Sequence, residues 1–300
     1  MKLKKTTFRV LKNFKFLPNK RLLKIRHRYY TDETLNLENP KKFNEKINWL
    51  KLHFHVPILT QLADKYLVRE YVSEKIGDDY LNELYKVYYN ADDINFDELP
   101  NSFVLKGAHG SSLNIIVKDK SKLDIKATKK TMHKWMKHCQ YKKVGLEWAY
   151  KNIEPKIIAE KYLEEEGREV LLDYKFFCFN GKPKFVQIDL ERGIEDYRCF
   201  YDLDWQKLPF STVKNTFFEG EVDKPTNFDE MIKLADNLSE DLPFSRVDFY
   251  AIEGKTIFGE ITFYPADGKK NFVPNEYNKI IGDYLTLPKI PEEHKIITVF

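Results

Sequence analysis

The stretch RVDFYAIEGKTIFGEITFYP, residues 246–265, holds two strand-like segments around Glu253-Gly254-Lys255 with an acid in each, Asp248 and Glu260. Side chains alternate between the faces of a strand, so a three-residue loop sets Val247, Phe249, Ala251, Ile257, Ile261 and Phe263 on one face. That face reads as core. The same register puts Asp248 directly across from Glu260 and Arg246 across from Thr262. A two-residue Glu253-Gly254 turn would send the acids to opposite faces and mix the apolar set, which a half-buried sheet resists, so the odd loop is expected. Like charges opposite each other on paired strands repel unless something compensates them. Two compensators are open at this point: a hard cation with oxygen ligands, or Arg246 and nearby lysines on a solvated polar face.

Around this hairpin the chain has 300 residues, 42% of them hydrophobic and 15% aromatic, enough to build a substantial core rather than a disordered chain. The net charge of +4 does not suggest a nucleic-acid binder, but it is unevenly spread. Lysines and arginines run from Lys2 to Arg28 before the first acid, Asp32, interleaved with Phe8, Leu11, Phe14, Leu22, Leu23 and Ile25. Such an arm, residues 1–40, suits contact with an anionic membrane surface or polyanionic acceptor through residues 1–28, or packing against an acidic part of the same protein. No apolar run approaches the ~18 residues of a spanning helix, and charge interrupts the N-terminus, so a cytoplasmic chain is expected, at the inner face of the membrane if the arm binds there. Cys139, Cys178 and Cys199 form no CxxC and read as structural thiols, and the histidines lack metal-ligand spacing.

Residues 44–75 read as two helices parted at Pro57, and residues 41–98 as a helical N-terminal domain. From Asn101 the pattern changes to strands, SFVLK and LNIIV, with GAHGSS between them; helical periodicity returns over 123–153, and KIIAEKYL is a short apolar strand after Pro155. Helices and mostly antiparallel hairpins in separate blocks argue for an α+β architecture of several lobes.

Three segments carry residues suited to a nucleotide. In VLKGAHGSSLNIIV, residues 104–117, glycines and serines let backbone amides approach an anion and Lys106 adds charge beside them; a plain hairpin turn with a solvated lysine is the alternative. In IIAEKYLEEEG, residues 157–167, a strand end with Glu160 offers backbone and carboxylate partners for an amino-bearing base, although strands also commonly run out into acidic loops. In the 173–192 hairpin an even turn through Asn180-Gly181 places Lys175 on the face of Ile188, Leu190 and Arg192, where two cations suit a row of phosphates or simply face solvent.

The order of LADKYLVREYV, VLKGAHGSSLNIIV, IIAEKYL, DYKFFCFNGKPKF and RVDFY…FGEITFYP resembles the ATP-grasp superfamily, and its wording looks like the TupA-like branch associated with surface-polysaccharide biosynthesis. The resemblance covers about residues 40–285. It implies an ATP-grasp fold with nucleotide between two mainly antiparallel sheets, a small lobe at 99–163 and a large lobe at 164–300. It further implies that Lys106 grips phosphates and that Gly107, His109, Gly110, Ser111 and Ser112 belong to a lid, in which His109 either touches phosphate or substrate or is a structural imidazole. Glu160 and the backbone of Lys161, Tyr162 and Leu163 would receive adenine, with Asp173 near ribose and Lys175 near the phosphates. Asp248 and Glu260 would hold Mg2+, and Arg246 and Arg192 would stabilise the transferred phosphoryl group. Many members carry Glu-x-Asn where this chain has Glu260-Ile261-Thr262, which leaves a second metal position to Thr262, water or Asp267.

The activity so implied is an ATP- and Mg2+-dependent carboxylate-amine ligase that works through an acyl phosphate. It would join an amino acid or related amine to a uronic acid of a capsular or cell-wall glycan, small or lipid-linked. A glycosyl- or phosphotransferase of the same pathway and a non-catalytic nucleotide-binding scaffold are the rival expectations.

Overall fold

The computed structural model describes residues 16–143, 145–165, 171–190, 197–212 and 216–299. In chain order its strands are β1 Leu84–Tyr88, β2 Phe103–Gly107, β3 Asn114–Val117, β4 Ile157–Lys161, β5 Asp173–Phe179, β6 Lys182–Asp189, β7 Tyr197–Asp202, β8 Ser211–Thr212, β9 Thr216–Phe217, β10 Phe244–Ile252, β11 Lys255–Thr262 and β12 Phe272–Val273. They form a four-stranded sheet in the order β1-β4-β2-β3, a six-stranded sheet in the order β11-β10-β5-β6-β7-β9, and a small β12-β8 pair. Every neighbour pair is antiparallel except β7 with β9, so the α+β class with two mainly antiparallel sheets holds.

Both long hairpins turn on two residues and then carry a bulge. Asn180 and Gly181 have φ of 49° and 78°, and Glu253 and Gly254 have 49° and 77°. Positive φ at both central positions is the type I′ turn, whose twist matches the strands it joins. The three-residue loop expected at 253–255 is therefore replaced by a tighter one, with Ile252 opposite Lys255. The register slips by one residue between Asp248 and Phe249, and the extra residue is Gly259. That bulge restores what the longer loop was expected to give: Asp248 faces Glu260, Arg246 faces Thr262 and Val247 faces Ile261. Beyond it the faces exchange, so Phe258 rather than Ile257 joins Phe249 in the core.

In the β5-β6 hairpin a similar slip leaves Lys184 as the extra residue after Pro183. Lys175 consequently pairs with Gln187 and shares its face with Asp173 and Asp189; Ile188 lies on the opposite, Tyr174 face. The alignment of Lys175 with Ile188 and Leu190 expected from an even turn is thus overturned by the bulge. Arg192 lies outside the described residues.

The helical segment after the N-terminal arm divides into Phe43–His53, Ile58–Ala63 and Val68–Ile76. Pro57 makes the first break. The second, unexpected one comes at Asp64, whose Oδ1 accepts from the backbone N–H groups of Tyr66 and Leu67 at 2.8 and 3.2 Å and so holds the turn ahead of the next helix. Residues 41–98 are not wholly helical, because β1 lies among them and pairs with β4 in the small sheet. Nor does Phe43–His53 have a separate core. The Phe43 ring sits 5.2 Å from Phe244, 6.0 Å from Phe179 and 5.8 Å from Phe272, edge-on, and joins the aromatic interior beneath the six-stranded sheet. A second apolar cluster, with Phe103, Leu105, Ile157, Ala159 and Trp135, lies under the small sheet.

Residues 1–15 of the basic arm lie outside the described residues. The following helix, Asn19–Thr31, buries Leu22, Leu23 and His27, while Lys20 and Lys24 reach Glu38 at 2.8 and 3.6 Å. Among the described residues no helix is long and apolar enough to cross a membrane.

Burial holds His27 down to about 4, against partial opposition from Glu33 and Glu45. Between that value and 6.5 the unfolded chain binds the extra proton, so His27 removes stability as pH falls through this window, by about 3 kcal/mol in full. Glu147, raised to about 7 chiefly by burial, has the opposite sign over part of the same range, so the informative quantity is a difference. The unfolding free energy of His27→Gln relative to the parent should improve steadily from pH 7 to pH 4.5 in denaturant titrations; a constant difference would remove the assignment.

Candidate active site

The pairing places one polar face on the six-stranded sheet. Across β11, β10, β5 and β6 a row runs Glu260, Asp248, Lys175, Gln187; beside it Tyr250, Asp173, Asp189 and Arg198 follow across β10, β5, β6 and β7. On the other side of the first row Thr262 faces Arg246. The opposite faces of these strands carry Val247, Phe249, Phe176, Val186 and Ile188 in the core, which is why the polar residues have one side to occupy.

The face is wired as an alternation of charges. Arg246 donates to Asp248 through Nε at 2.7 Å and Nη2 at 2.6 Å, and the same Nη2 reaches Glu260 and the Thr262 hydroxyl at 3.2 Å each. Lys175 Nζ lies 2.6 Å from Asp173, 3.4 Å from Asp189 and 3.8 Å from Asp248. Asp189 also accepts from Arg198 Nε at 2.6 Å, and Lys65 reaches Glu260 at 3.3 Å. Burial alone would raise Glu260, but Lys65, Arg246 and Lys175 outweigh it and bring the carboxyl to about 2. At Asp248 burial wins over Arg246 and Lys175, and its pKa stays above the ordinary value. Burial likewise lowers Lys175 despite the acids around it.

Of the two compensators open to the facing acids, the guanidinium of Arg246 occupies the position here. Three oxygens, from Asp248, Glu260 and Thr262, converge on its Nη2. An all-oxygen set of two carboxylates and a hydroxyl around a cationic atom fits Mg2+, which typically takes one or two carboxylates and completes its shell from phosphates and water. Among the described residues no group of three or more His, Cys, Asp or Glu side chains is arranged to hold a metal. Asp267 is committed elsewhere: it is buried in an ion pair with Lys51 and Lys269, so it does not supplement Thr262.

A cavity of about 520 Å³ separates this face from the small sheet, lined by Lys175, Asp248 and Glu260 below and by Lys106, Ser111, Ser112 and Asn114 above. A second, of about 400 Å³, shares Lys106, Asn114 and Tyr250 with it and continues along Val104, Ile116, Lys161, Tyr162 and Leu163. Lys106 and Glu160 project from one face of the small sheet, since Lys106 pairs with Ile158 and Val104 with Glu160. Their side chains meet at 2.7 Å, and Glu160 also touches Arg69 at 3.4 Å.

The structure brings Lys106, Ser111, Ser112, Asp173, Lys175, Asp248 and Glu260 to one cavity, with Arg246 and Thr262 on the same sheet face. Lys161, Tyr162 and Leu163 line the adjoining one, although the Lys161 backbone N–H already donates to Glu83 and its carbonyl accepts from Asn82. His109 does not reach the cavity. It is buried with Nε2 2.8 Å from the Trp135 carbonyl and is kept low by burial, so it anchors the base of the loop instead. At Gly107 and Gly110 a Cβ would stand 2.9 and 3.1 Å from the Leu113 side chain, so packing also asks for glycine there, and the Gly107 N–H is spent on the Leu113 carbonyl. Sequence reading missed Lys65, Asp189, Arg198 and Tyr250 as lining residues. Lys65 lies in the DK of LADKYLVREYV, a usable signal; Asp189 was hidden by the bulge at Lys184.

Gly259 is what lets the acids face each other. A Cβ there would meet the Asp248 carbonyl at 3.0 Å and the Tyr250 ring at 3.4 Å. Gly259→Ala should cost about 1–3 kcal/mol of stability, read by thermal unfolding. An unchanged midpoint would show that the bulge tolerates a side chain.

The TupA-like ATPgrasp family matches residues 45–286. None of the curated proteins matches the chain. Similar solved structures include D-alanine--D-alanine ligase from Bacillus anthracis, at 18% identity over 69% of this chain and 59% of that one, with a TM-score of 0.41. Phosphoribosylamine--glycine ligase from Thermotoga maritima is 11% identical over 82% of this chain and 57% of that one, with a TM-score of 0.45. D-alanine-D-alanine ligase from Helicobacter pylori is 15% identical over 84% and 68%, with a TM-score of 0.42. The chain thus spans less than two thirds of the length of the first two.

Proposed function

Because the chain belongs to the TupA-like ATP-grasp family, we propose that it is an ATP-dependent carboxylate-amine ligase that activates a uronic-acid carboxylate of a surface glycan and joins it to an amino acid or related amine. The observation that carries this reading is the convergence of Asp248, Glu260 and Thr262 on one cationic position, with Asp248 and Glu260 lining the cavity that Lys106 also lines. In this reading a carboxylate oxygen of the acceptor attacks the γ-phosphorus of ATP, the bond to the bridging oxygen breaks and ADP leaves. The amine then attacks the acyl phosphate carbon and expels inorganic phosphate.

Lys106 and Lys175, on opposite walls, would bind the triphosphate as point charges, and Lys65 would release Glu260 to take part. Asp248, Glu260 and Thr262 would hold Mg2+, which when bound offsets charge on the transferred group. Arg246, freed from Asp248, would add to that stabilisation. Ser111 and Ser112 would close over the phosphates and exclude water. Tyr162, Leu163 and Tyr250 would form the apolar slot for the base, with Asp173 beside the ribose.

The test is ADP release from ATP with Mg2+ and a panel of uronic acids and amines. The reading expects release that needs both partners, together with an amide in the product by mass spectrometry. UDP release from a nucleotide sugar, or ATP binding without turnover for any pair, would replace it with the transferase or the scaffold. The lipid-linked form of the acceptor and contact of residues 1–28 with a membrane belong to the same proposal and are tested by vesicle sedimentation.

A further inference from the structure

The loop between β2 and β3 is held in two different ways. Its first half is fixed by the fold: Gly107 N–H donates to the Leu113 carbonyl at 2.8 Å, Ala108 N–H to Lys156 at 2.9 Å, and His109 is pinned to Trp135. At its tip Gly110 is still buried while Ser111 and Ser112 are exposed, and Ser112 has φ of 59°, a left-handed conformation that a serine adopts at some cost. Among the described residues two side chains bond to this tip. Lys65 donates to the Gly110 carbonyl at 3.3 Å from inside the cavity, and Gln140 Nε2 donates to the Ser111 hydroxyl at 3.0 Å from outside it.

These two bonds differ in permanence. Lys65 also contacts Glu260, so its bond competes with the site's own charges. Gln140 is 3% exposed, lines neither cavity between the sheets, and is itself held twice. Its Nε2 donates to Glu147 Oε2 at 3.0 Å, and its Oε1 lies 3.0 Å from His138 Nε2. A primary amide has two hydrogens and one carbonyl oxygen, so Ser111, Glu147 and His138 together use both donors and one acceptor position. Gly110 lies against the same amide, with a Cβ there 3.4 Å from Gln140 Oε1.

We infer that Gln140 is a positioning residue, a buried peg that docks Ser111 and thereby sets where the Gly110–Ser112 tip stands over the phosphate end of the cavity. Its value for catalysis rests on the nucleotide reading; its existence does not. Substrate closure then starts from a tip held at one point rather than from a free loop, and the ordering cost on binding falls accordingly.

The experiment is amide hydrogen exchange of residues 107–114 in the full chain without nucleotide, for the parent, Gln140→Ala, Ser111→Ala and the double variant. Gln140→Ala also strands the buried Glu147, so Ser111→Ala, at an exposed position, separates the peg from general loosening. Both single variants should exchange about fivefold to tenfold faster in this segment, and the double variant no faster than either. Unchanged exchange in Ser111→Ala, or additive effects in the double variant, would overturn the peg. ATP titration of the same proteins with Mg2+ then reports separately on the nucleotide reading: faster exchange with no ATP binding in the parent keeps the peg and removes its purpose.

Discussion

Asp248→Asn should remove most of the Mg2+-dependent part of ATP affinity and lower turnover about a thousandfold, while the chain stays folded. The asparagine has nearly the same shape and still offers an oxygen to Arg246. What it loses is the charge that a divalent ion needs, at a position held beside Glu260 by register and by the bulge at Gly259. The folded chain has reason to tolerate the change, because burial keeps the Asp248 pKa above its ordinary value and a neutral side chain avoids that desolvation. The ion pair with Arg246 is lost in exchange, so a moderate fall in thermal stability is expected. Glu260→Gln should give the same catalytic loss. Its carboxyl, held near 2 by Lys65, Arg246 and Lys175, contributes stability above pH 4.5 that the parent loses as pH falls toward 2. Turnover retained in both variants, measured as ADP release, would remove the metal assignment and leave Arg246 as a purely structural neutraliser of two acids.

The second large effect is on stability. Asp64→Ala should destabilise the fold by about 3–5 kcal/mol, seen as a lowered midpoint in denaturant. Asp64 is fully buried with Lys156 at 2.6 Å, and its other oxygen holds the Tyr66 and Leu67 N–H groups of the turn that precedes the Val68–Ile76 helix. Alanine leaves the Lys156 ammonium buried without its carboxylate and removes the two turn hydrogen bonds, which adds about 1 kcal/mol. Lys156 also lends its carbonyl to Ala108, and Lys65 donates its N–H to the Ala108 carbonyl, so this pair ties the helix break, the loop base and β4 together. Replacing both partners at once, Asp64→Leu with Lys156→Met, should recover most of the stability because no buried charge remains. It should not recover ATP affinity, since Lys65 loses the backbone setting that aims it at Glu260. Full recovery of both would make the pair a packing device unrelated to the site.

Much of the fold was legible because apolar alternation and the I′ signal Asn180-Gly181 are local properties. The facing of Asp248 and Glu260 was also read correctly, through a mechanism that the structure replaces: a longer loop and a tight turn with one bulge give the same pairing near the acids and differ near Ile257 and Phe258. A bulge depends on what the backbone does two residues away, so alternation cannot locate it. The same limit moved Lys175 to the face of Asp189 and Asp173 rather than that of Ile188. β1 escaped because its five residues show no clean alternation and its partner, β4, is far along the chain. His109 was open between a contact with phosphate or substrate and a structural role, and its burial against the Trp135 carbonyl favours the second. Lys65 entered through a short break in a helix that no proline or glycine marks.

A crystal structure with a non-hydrolysable ATP analogue and Mg2+ bears most directly on the central claim. The account predicts a metal bonded to Asp248 and Glu260 with phosphate oxygens in its shell, Lys106 and Lys175 on the phosphates from opposite sides, and Arg246 released from Asp248. A nucleotide bound elsewhere, or bound between the sheets with Arg246 still spanning both acids and no metal beside them, would contradict it.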